Sequence, residues 1–230
     1  MPLVEMQNVE KDYSLGETTI HAVRGVSLDI DAGELLSVVG PSGCGKTTLL
    51  NMMGCIDRPT QGRVLFGDRD VATLSDAEQA DIRLNRIGFI FQTFNLVPVL
   101  SVQENIELPM ILARRPKPQR AEVVARLVEA VGLTKYRTHK PSELSGGQRQ
   151  RVAIARALVN DPDVVIADEP TANLDSKTGD EVLEVIRRMN REQHVTFIFS
   201  THNPDILRYA NRVIRLKDGQ LDGIETKETA

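Results

Sequence analysis

Apolar residues along this chain fall into distinct patterns, and the pattern changes at identifiable places. Short alternating runs occupy residues 3 to 13, 23 to 31 and 63 to 71, as in Val26-Ser27-Leu28-Asp29-Ile30 and Val64-Leu65-Phe66, with Gly-bearing turns between them. Alternation at period two buries one face and wets the other, which predicts an antiparallel edge sheet. Leu35-Leu36-Ser37-Val38-Val39, Ile87-Gly88-Phe89-Ile90-Phe91, Val164-Val165-Ile166-Ala167 and Val195-Thr196-Phe197-Ile198-Phe199 are instead nearly continuous apolar runs. Such runs are expected of parallel strands covered by helices on both faces. Val213-Ile214-Arg215-Leu216 reads as a last core strand.

Between residues 101 and 160 the period becomes helical. Val123, Val124, Leu127, Val128 and Val131 fall at i, i+1, i+4, i+5 and i+8, and Gly132 stands where a C-terminal cap belongs. Ala113-Arg114-Arg115-Pro116-Lys117-Pro118 predicts an exposed loop, because its prolines restrict helix and its cations favour water. A further helix is expected from Asp175 or Ser176, burying Val182, Leu183, Val185, Ile186 and Met189. The polar stretch from Asp218 to Ala230 has little periodicity and is expected to fray. No internal repeat or low-complexity segment interrupts these patterns.

Composition narrows the class. At 230 residues the chain can bury a large core without disulfides or metal, and its two cysteines, Cys44 and Cys55, are too few for a disulfide framework. A reducing compartment follows as the expectation. The first residues show no basic region followed by an apolar stretch, and no run approaches the ~18 apolar residues of a membrane span, so the chain is expected to be soluble. A formal net charge of −4 argues against a sequence-independent nucleic-acid binder, and no nucleic-acid partner is expected.

Three short runs carry chemistry. Gly40-Pro41-Ser42-Gly43-Cys44-Gly45-Lys46-Thr47, followed by Thr48, fits G-x-x-x-x-G-K-[ST] between a strand and a helix. In that setting glycines let backbone N–H groups close around phosphate, Lys46 reaches the β- and γ-phosphates, and Thr47 offers a hydroxyl to Mg²⁺. Asp163 to Glu169 reads as a buried strand ending in two carboxylates. Such ends also cap following helices, but beside a phosphate loop Asp168 is suited to Mg²⁺ and Glu169 to an attacking water. In Leu144-Ser145-Gly146-Gly147-Gln148, ahead of a helical run, Ser145 can serve as a cap and the helix N-terminus can bind an anion.

Together these runs resemble the nucleotide-binding subunit of ATP-binding cassette (ABC) transporters, over residues 3 to 220 in the expected order. The resemblance implies an α/β fold: a P-loop NTPase core with a mostly parallel sheet, an antiparallel β edge subdomain and an inserted α-helical subdomain. Residues 1–92 and 161–220 would form the core, residues 93–160 the helical part, and 221–230 a polar tail. It implies ATP and Mg²⁺ as ligands, and a signature role for Leu144 to Gln148, with Ser145, Gly146, Gly147 and Gln148 binding the γ-phosphate held by a second subunit. Two chains would then sandwich two ATP molecules head to tail, as a homodimer. Tyr13 resembles the aromatic residue that stacks on adenine. Gln92 resembles the glutamine of the flexible loop, near nucleotide and metal. Ala172-Asn173-Leu174-Asp175 is similar to the loop crossing the dimer interface, and His202 to the switch histidine at the γ-phosphate. Glu169 would polarise water as general base, with Lys46, Gln92 and His202 completing the catalytic set.

Within the family, Gly54 to Gly62, Ile87 to Leu96 and Asp175 to Gly179 look similar to the macrolide-export and lipoprotein-releasing branch. That likeness implies an integral membrane permease with an extracytoplasmic domain, and a place on the cytoplasmic face of the membrane. A scaffold of the cell-envelope division type, transmitting force without cargo, is the alternative. Phe94-Asn95-Leu96-Val97-Pro98-Val99-Leu100 is apolar enough either to pack in the core or to form a groove for a short permease helix. Cys44 takes one of the motif's variable positions close to a helix N-terminus and is expected to be merely tolerated there; the alternative is a reactive thiol whose alkylation inhibits the ATPase and is slowed by MgATP.

Overall fold

A computed structural model describes residues 1–201 and 204–227. Val4–Leu15 (β1) and Thr18–Ile30 (β2) form a long hairpin that pairs antiparallel with Gln61–Phe66 (β4) and Arg69–Asp70 (β5), in the order β2-β1-β4-β5. The alternating runs thus form the expected edge sheet, with longer arms. Leu35–Val39 (β3), Ile87–Ile90 (β6), Val164–Ala167 (β7), Thr196–Thr201 (β8) and Arg212–Lys217 (β9) form a parallel sheet, extended by antiparallel Gln220–Thr226 (β10) in the order β10-β9-β3-β8-β7-β6.

The parallel strands show why their sequences do not alternate. Leu36, Val38, Val164, Ile166, Ile198 and Ile214 face one core, shared with the antiparallel sheet, with Lys46–Met53 (α1) and with Ile82 of Asp76–Asn85 (α2). Leu35, Val165, Ala167, Phe197, Phe199 and Val213 face another, shared with Val102–Leu112 (α3), Lys117–Ala130 (α4), Gly146–Leu158 (α5) and Ser176–Gln193 (α6). Period two therefore divides each strand between two apolar cores, and both sets of residues must be apolar.

Helix boundaries follow local chemistry. Ser75, Ser101 and Ser145 each accept from the N3 backbone while the N3 side chain, Glu78, Glu104 or Gln148, returns to the cap, forming capping boxes on α2, α3 and α5. Gly132 follows α4 at φ +72°, and its N–H bonds Glu129 O at 2.9 Å, as expected of a glycine ending a helix. α6 starts after Asp175 and buries Val182, Leu183, Val185, Ile186 and Met189.

Two expectations change. Residues 113–118 are largely exposed but not all loop: α4 begins at Lys117, with Pro116 as its cap and Pro118 in its first turn. Proline needs no amide partner there and its fixed φ suits a helix start. The stretch expected to fray contains β10, which pairs with β9 from Gln220 to Thr226. Its polar side chains suit an exposed edge, and ladder hydrogen bonds do not require an apolar face. The turn between the strands also reaches inward: Gly219 N–H donates to Cys44 O at 3.0 Å, and Gly219 O accepts from Arg24 N at 2.8 Å.

Gly88 of β6 lies against the main chain of α5, where an added Cβ would collide with the Ala157 carbonyl. Gly88→Ala should therefore cost about 1–3 kcal/mol, as overpacking does. Thermal melting followed by circular dichroism should show a drop of roughly 3–10 °C; an unchanged midpoint would mean that α5 withdraws freely from β6.

Candidate active site

The carboxyl ends of β3, β6, β7 and β8 lie along one edge of the parallel sheet, where ligands bind in open α/β folds. A cavity of about 550 Å³ opens there, lined by Ile20, His21, Ala22, Ser42, Gly43, Gly45, Lys46, Thr47, Thr48, Gln92, Asp168 and Glu169. Gly40 follows β3 directly, and α1 begins at Lys46 with Gly45 as its cap at φ +103°. A Cβ on Gly40 would strike the Leu216 carbonyl and the Cys44 sulfur, and one on Gly45 the Ala22 carbonyl. Other residue types would force the main chain apart at these two points.

Lys46 is only 8 % exposed, and its ammonium donates to Gly40 O at 2.9 Å and Pro41 O at 3.0 Å. The cation is thereby aimed along the loop. Pro41, Ser42 and Gly43 form the loop's exposed crest, whereas Cys44 is buried at 5 % among core residues. The thiol lies among core residues and does not line the cavity, which agrees with a cysteine merely tolerated in the loop and disfavours the reactive alternative. Burial pushes the thiol of Cys55 up to about 11, despite the nearby arginines Arg83, Arg69 and Arg86.

Thr47 Oγ1 donates to Asp168 Oδ2 at 3.1 Å and stands 3.3 Å from Oδ1. Asp168 also accepts from the buried Ser200 hydroxyl on β8 at 2.6 Å, and that hydroxyl accepts from Glu169 N–H at 3.0 Å. One serine therefore links both carboxylate residues beyond β7. Glu169 has φ +50°, a left-handed backbone that costs energy outside glycine and recurs at functional sites. Exposed Gln92 also lines the cavity, and its carbonyl accepts from Asn173 Nδ2 at 2.9 Å.

Tyr13 is 38 % exposed and pairs across the β1–β2 ladder with cavity-lining Ile20. Its hydroxyl donates to Asp57 Oδ2 at 2.8 Å, and Lys11, 5.0 Å from the ring centre, donates to Asp57 Oδ1 at 2.6 Å. Burial, then the Asp57 carboxylate, raises the Tyr13 pKa. Burial works to raise that of Asp57 too, but bonds from Lys11, Tyr13 and the Arg58 N–H outweigh it and hold the carboxyl below its ordinary range.

The remaining predicted residues stand elsewhere. Ser145 and Gln148 are engaged in the capping box of α5, while Gly146 and Gly147 pack against Leu174 and Thr178 at the start of α6. None of the four lines the cavity. Asp175 caps α6 through Thr178 N at 3.0 Å, and its bonds with Thr178 lower its pKa. His202 lies outside the described residues. A larger groove of about 1160 Å³, between the C-terminal end of α4 and α6, holds none of the cavity residues.

Sequence reasoning did not assign Ser200 or Asp57 to the site, and placed Asn173 only in the loop crossing the dimer interface. Ser200 gave little signal, being one of three hydroxyl residues, with Thr196 and Thr201, in a strand two elements beyond its partners.

A family model described as ABC transporter matches residues 23–172, a span holding the phosphate loop, Gln92, Ser145 to Gln148, Asp168 and Glu169. The chain belongs to the ABC transporter family. It is an ATP-binding, ATP-hydrolysing subunit of that family. It is 47 % identical over 225 residues to an uncharacterised ABC transporter ATP-binding protein of Thermotoga maritima, covering 98 % of this chain and 96 % of that one. It is 45 % identical over 224 residues to the macrolide export ATP-binding/permease protein MacB of Syntrophobacter fumaroxidans, covering 96 % of this chain but 31 % of that protein. The dimeric post-hydrolysis structure of the ATP-binding cassette MJ0796 bound to ADP and Pi, a protein of Methanocaldococcus jannaschii, superposes with a TM-score of 0.90. It shares 42 % identity and covers 99 % of this chain and 100 % of that one.

Ser200→Ala removes the hydroxyl shared by Asp168 and Glu169 without touching the lining of the cavity. ATPase kcat should fall roughly 10- to 100-fold, as when other orienting hydrogen bonds around a reactive centre are lost. Steady-state phosphate release checks this, and an unaltered kcat would show that the two carboxylates hold their places without it.

Proposed function

We propose that ATP lies in the strand-end cavity with its phosphates on the Gly40–Thr48 loop, Lys46 against the β- and γ-phosphates, and its adenine beside Tyr13. The single observation that carries this reading is the junction of Lys46, Thr47, Asp168, Ser200 and Glu169 at the ends of three parallel strands and one helix. Thr47 and Asp168 supply oxygen donors within hydrogen-bond distance of each other, and Gln92 a third on the cavity wall. Among the described residues no group of three or more His, Cys, Asp or Glu side chains is arranged to hold a metal ion by itself. That donor set suits Mg²⁺, which takes few protein ligands and completes its shell with phosphate and water. Bound there, the ion would neutralise charge building on the phosphates. Glu169 would polarise the attacking water, while Lys46 stabilises the transferring phosphoryl group. His202 is proposed to contact the γ-phosphate.

The turn from Ser145 to Gln148 cannot complete this cavity in its own chain, because α5 seats it against α6. A second copy would supply it, with Asp175 and its loop at the interface, in a head-to-tail homodimer. The dimeric MJ0796 structure supports that arrangement.

No helix among the described residues is long and apolar enough to cross a membrane. Coupling to transport calls for a permease, proposed to carry an extracytoplasmic domain, and the likeness to MacB, a macrolide export ATP-binding/permease protein, supports an exporting one over a cargo-free scaffold. Its landing site is proposed as a groove of about 280 Å³ between Phe89, Phe91 and Asn95 on one side and Pro109 and Leu112 on the other. Within the Phe94–Leu100 run Leu96 packs in the core and Val99 is 70 % exposed, but Asn95 alone of the run lines this groove, whose apolar wall comes from Phe89, Phe91, Pro109 and the exposed Leu112 of α3. The chain would then sit at the cytoplasmic membrane face, with residues 93–160 as a helical subdomain on the core.

Glu169→Gln should preserve nucleotide binding, abolish measurable turnover and accumulate an ATP-bound dimer. Gel filtration with MgATP gives the answer, since a species that stays monomeric at saturating nucleotide contradicts the sandwich. Lys46→Ala should instead weaken binding of fluorescent ATP at least tenfold, the scale of a lost charged hydrogen bond.

A further inference from the structure

The segment from Phe91 to Asn95 touches two places at once. Gln92 lines the nucleotide cavity, while Phe91 and Asn95 line the apolar groove. Its conformation is costly: consecutive residues Phe94 and Asn95 have φ +62° and +47°, and a bulky aromatic in that region is a marked outlier. Something must hold the pair there. Arg156 of α5 does so through both carbonyls, donating from Nη1 to Asn95 O at 2.6 Å and from Nη2 to Phe94 O at 2.8 Å. Burial lowers the pKa of its guanidinium, so these bonds replace water that the cation has lost. Two turns earlier on the same helix face, the Arg149 guanidinium stands 5.0 Å from the centre of the Phe94 ring.

The N-terminus of α5 is the Ser145–Gln148 turn, about 15 Å along the axis from Arg156. A single helix thus grips the strained segment near one end and carries the proposed γ-phosphate contact at the other. We infer that Arg156 is a positioning residue: its fork keeps Phe94 and Asn95 left-handed, so that Gln92, the apolar groove and the Ser145–Gln148 turn move as one body. The role rests on the ATP-sandwich reading above and adds to it the part that joins groove to nucleotide. Arg156 lines the groove but not the cavity, so it affects turnover without setting ATP affinity.

Hydrogen–deuterium exchange and steady-state ATPase assays on the full chain with MgATP test this. Arg156→Ala should speed amide exchange across residues 92–96 roughly tenfold or more. It should lower kcat roughly 3- to 30-fold and leave the Kd for MgATP within about twofold. Arg156→Lys, which has a single ammonium in place of a planar fork, should fall between wild type and Arg156→Ala; it carries the test if the alanine variant does not fold. Asn95→Gly placed in the Arg156→Ala chain should recover part of the lost kcat, because glycine adopts positive φ without strain. A residue that merely stabilised the fold would not be rescued at position 95. Unchanged exchange and kcat in a folded Arg156 variant would overturn the inference, as would failure of Asn95→Gly to restore any activity. Absence of ATP hydrolysis by the wild-type chain would instead overturn the reading on which it rests.

Discussion

The phosphate loop exists because two backbone carbonyls press where a side chain would otherwise stand. Leu216 O approaches Gly40 and Ala22 O approaches Gly45, and each would collide with a Cβ. These contacts fasten the loop to β9 and to β2, elements far apart in sequence. The β9–β10 turn adds a hydrogen bond from Gly219 to the Cys44 carbonyl. Lys46 can then be buried as a cation, since its ammonium is met by the carbonyls of Gly40 and Pro41. A loop free to relax would lose both the direction of that cation and the start of α1.

The carboxylates of Asp168 and Glu169 depend on the same sheet at one remove. Asp168 and Glu169 follow β7, Ser200 belongs to the neighbouring β8, and Thr47 lies in α1. Hydrogen bonds among them cross three elements, so their spacing is set by the ladder between β7 and β8 and by the packing of α1 against β8. The left-handed Glu169 shows the sheet imposing a conformation that its local sequence does not favour. Phe94 and Asn95 show the same thing beyond β6, with Arg156 as the restraint.

The Gly40–Thr48 loop and the Ser145–Gln148 turn of this ABC subunit are held apart inside one chain. α5 and α6 meet where Gly146 and Gly147 admit Leu174 and Thr178, which fixes the Ser145 turn away from the phosphate loop. Specialised chemistry split between two rigid units is completed only when units associate, and the rate then follows how well each is positioned.

The sequence by itself determined the phosphate loop, the paired carboxylates beyond a buried strand, the division into alternating and continuous strands, and the burial of α6. These are local matters: spacing, period and strand-loop-helix order reside in a few adjacent residues. The pairing of β10 and the start of α4 at Lys117 escaped it, because ladder bonds and helix-start geometry outweigh polarity and proline content. Only the tertiary structure decided that Ser200 joins Asp168 to Glu169, that Asp57 orients Tyr13, and that Arg156 holds Phe94 and Asn95. Each of those contacts links residues separated by 31 to 62 positions, and no local pattern encodes which distant side chain will reach a given oxygen.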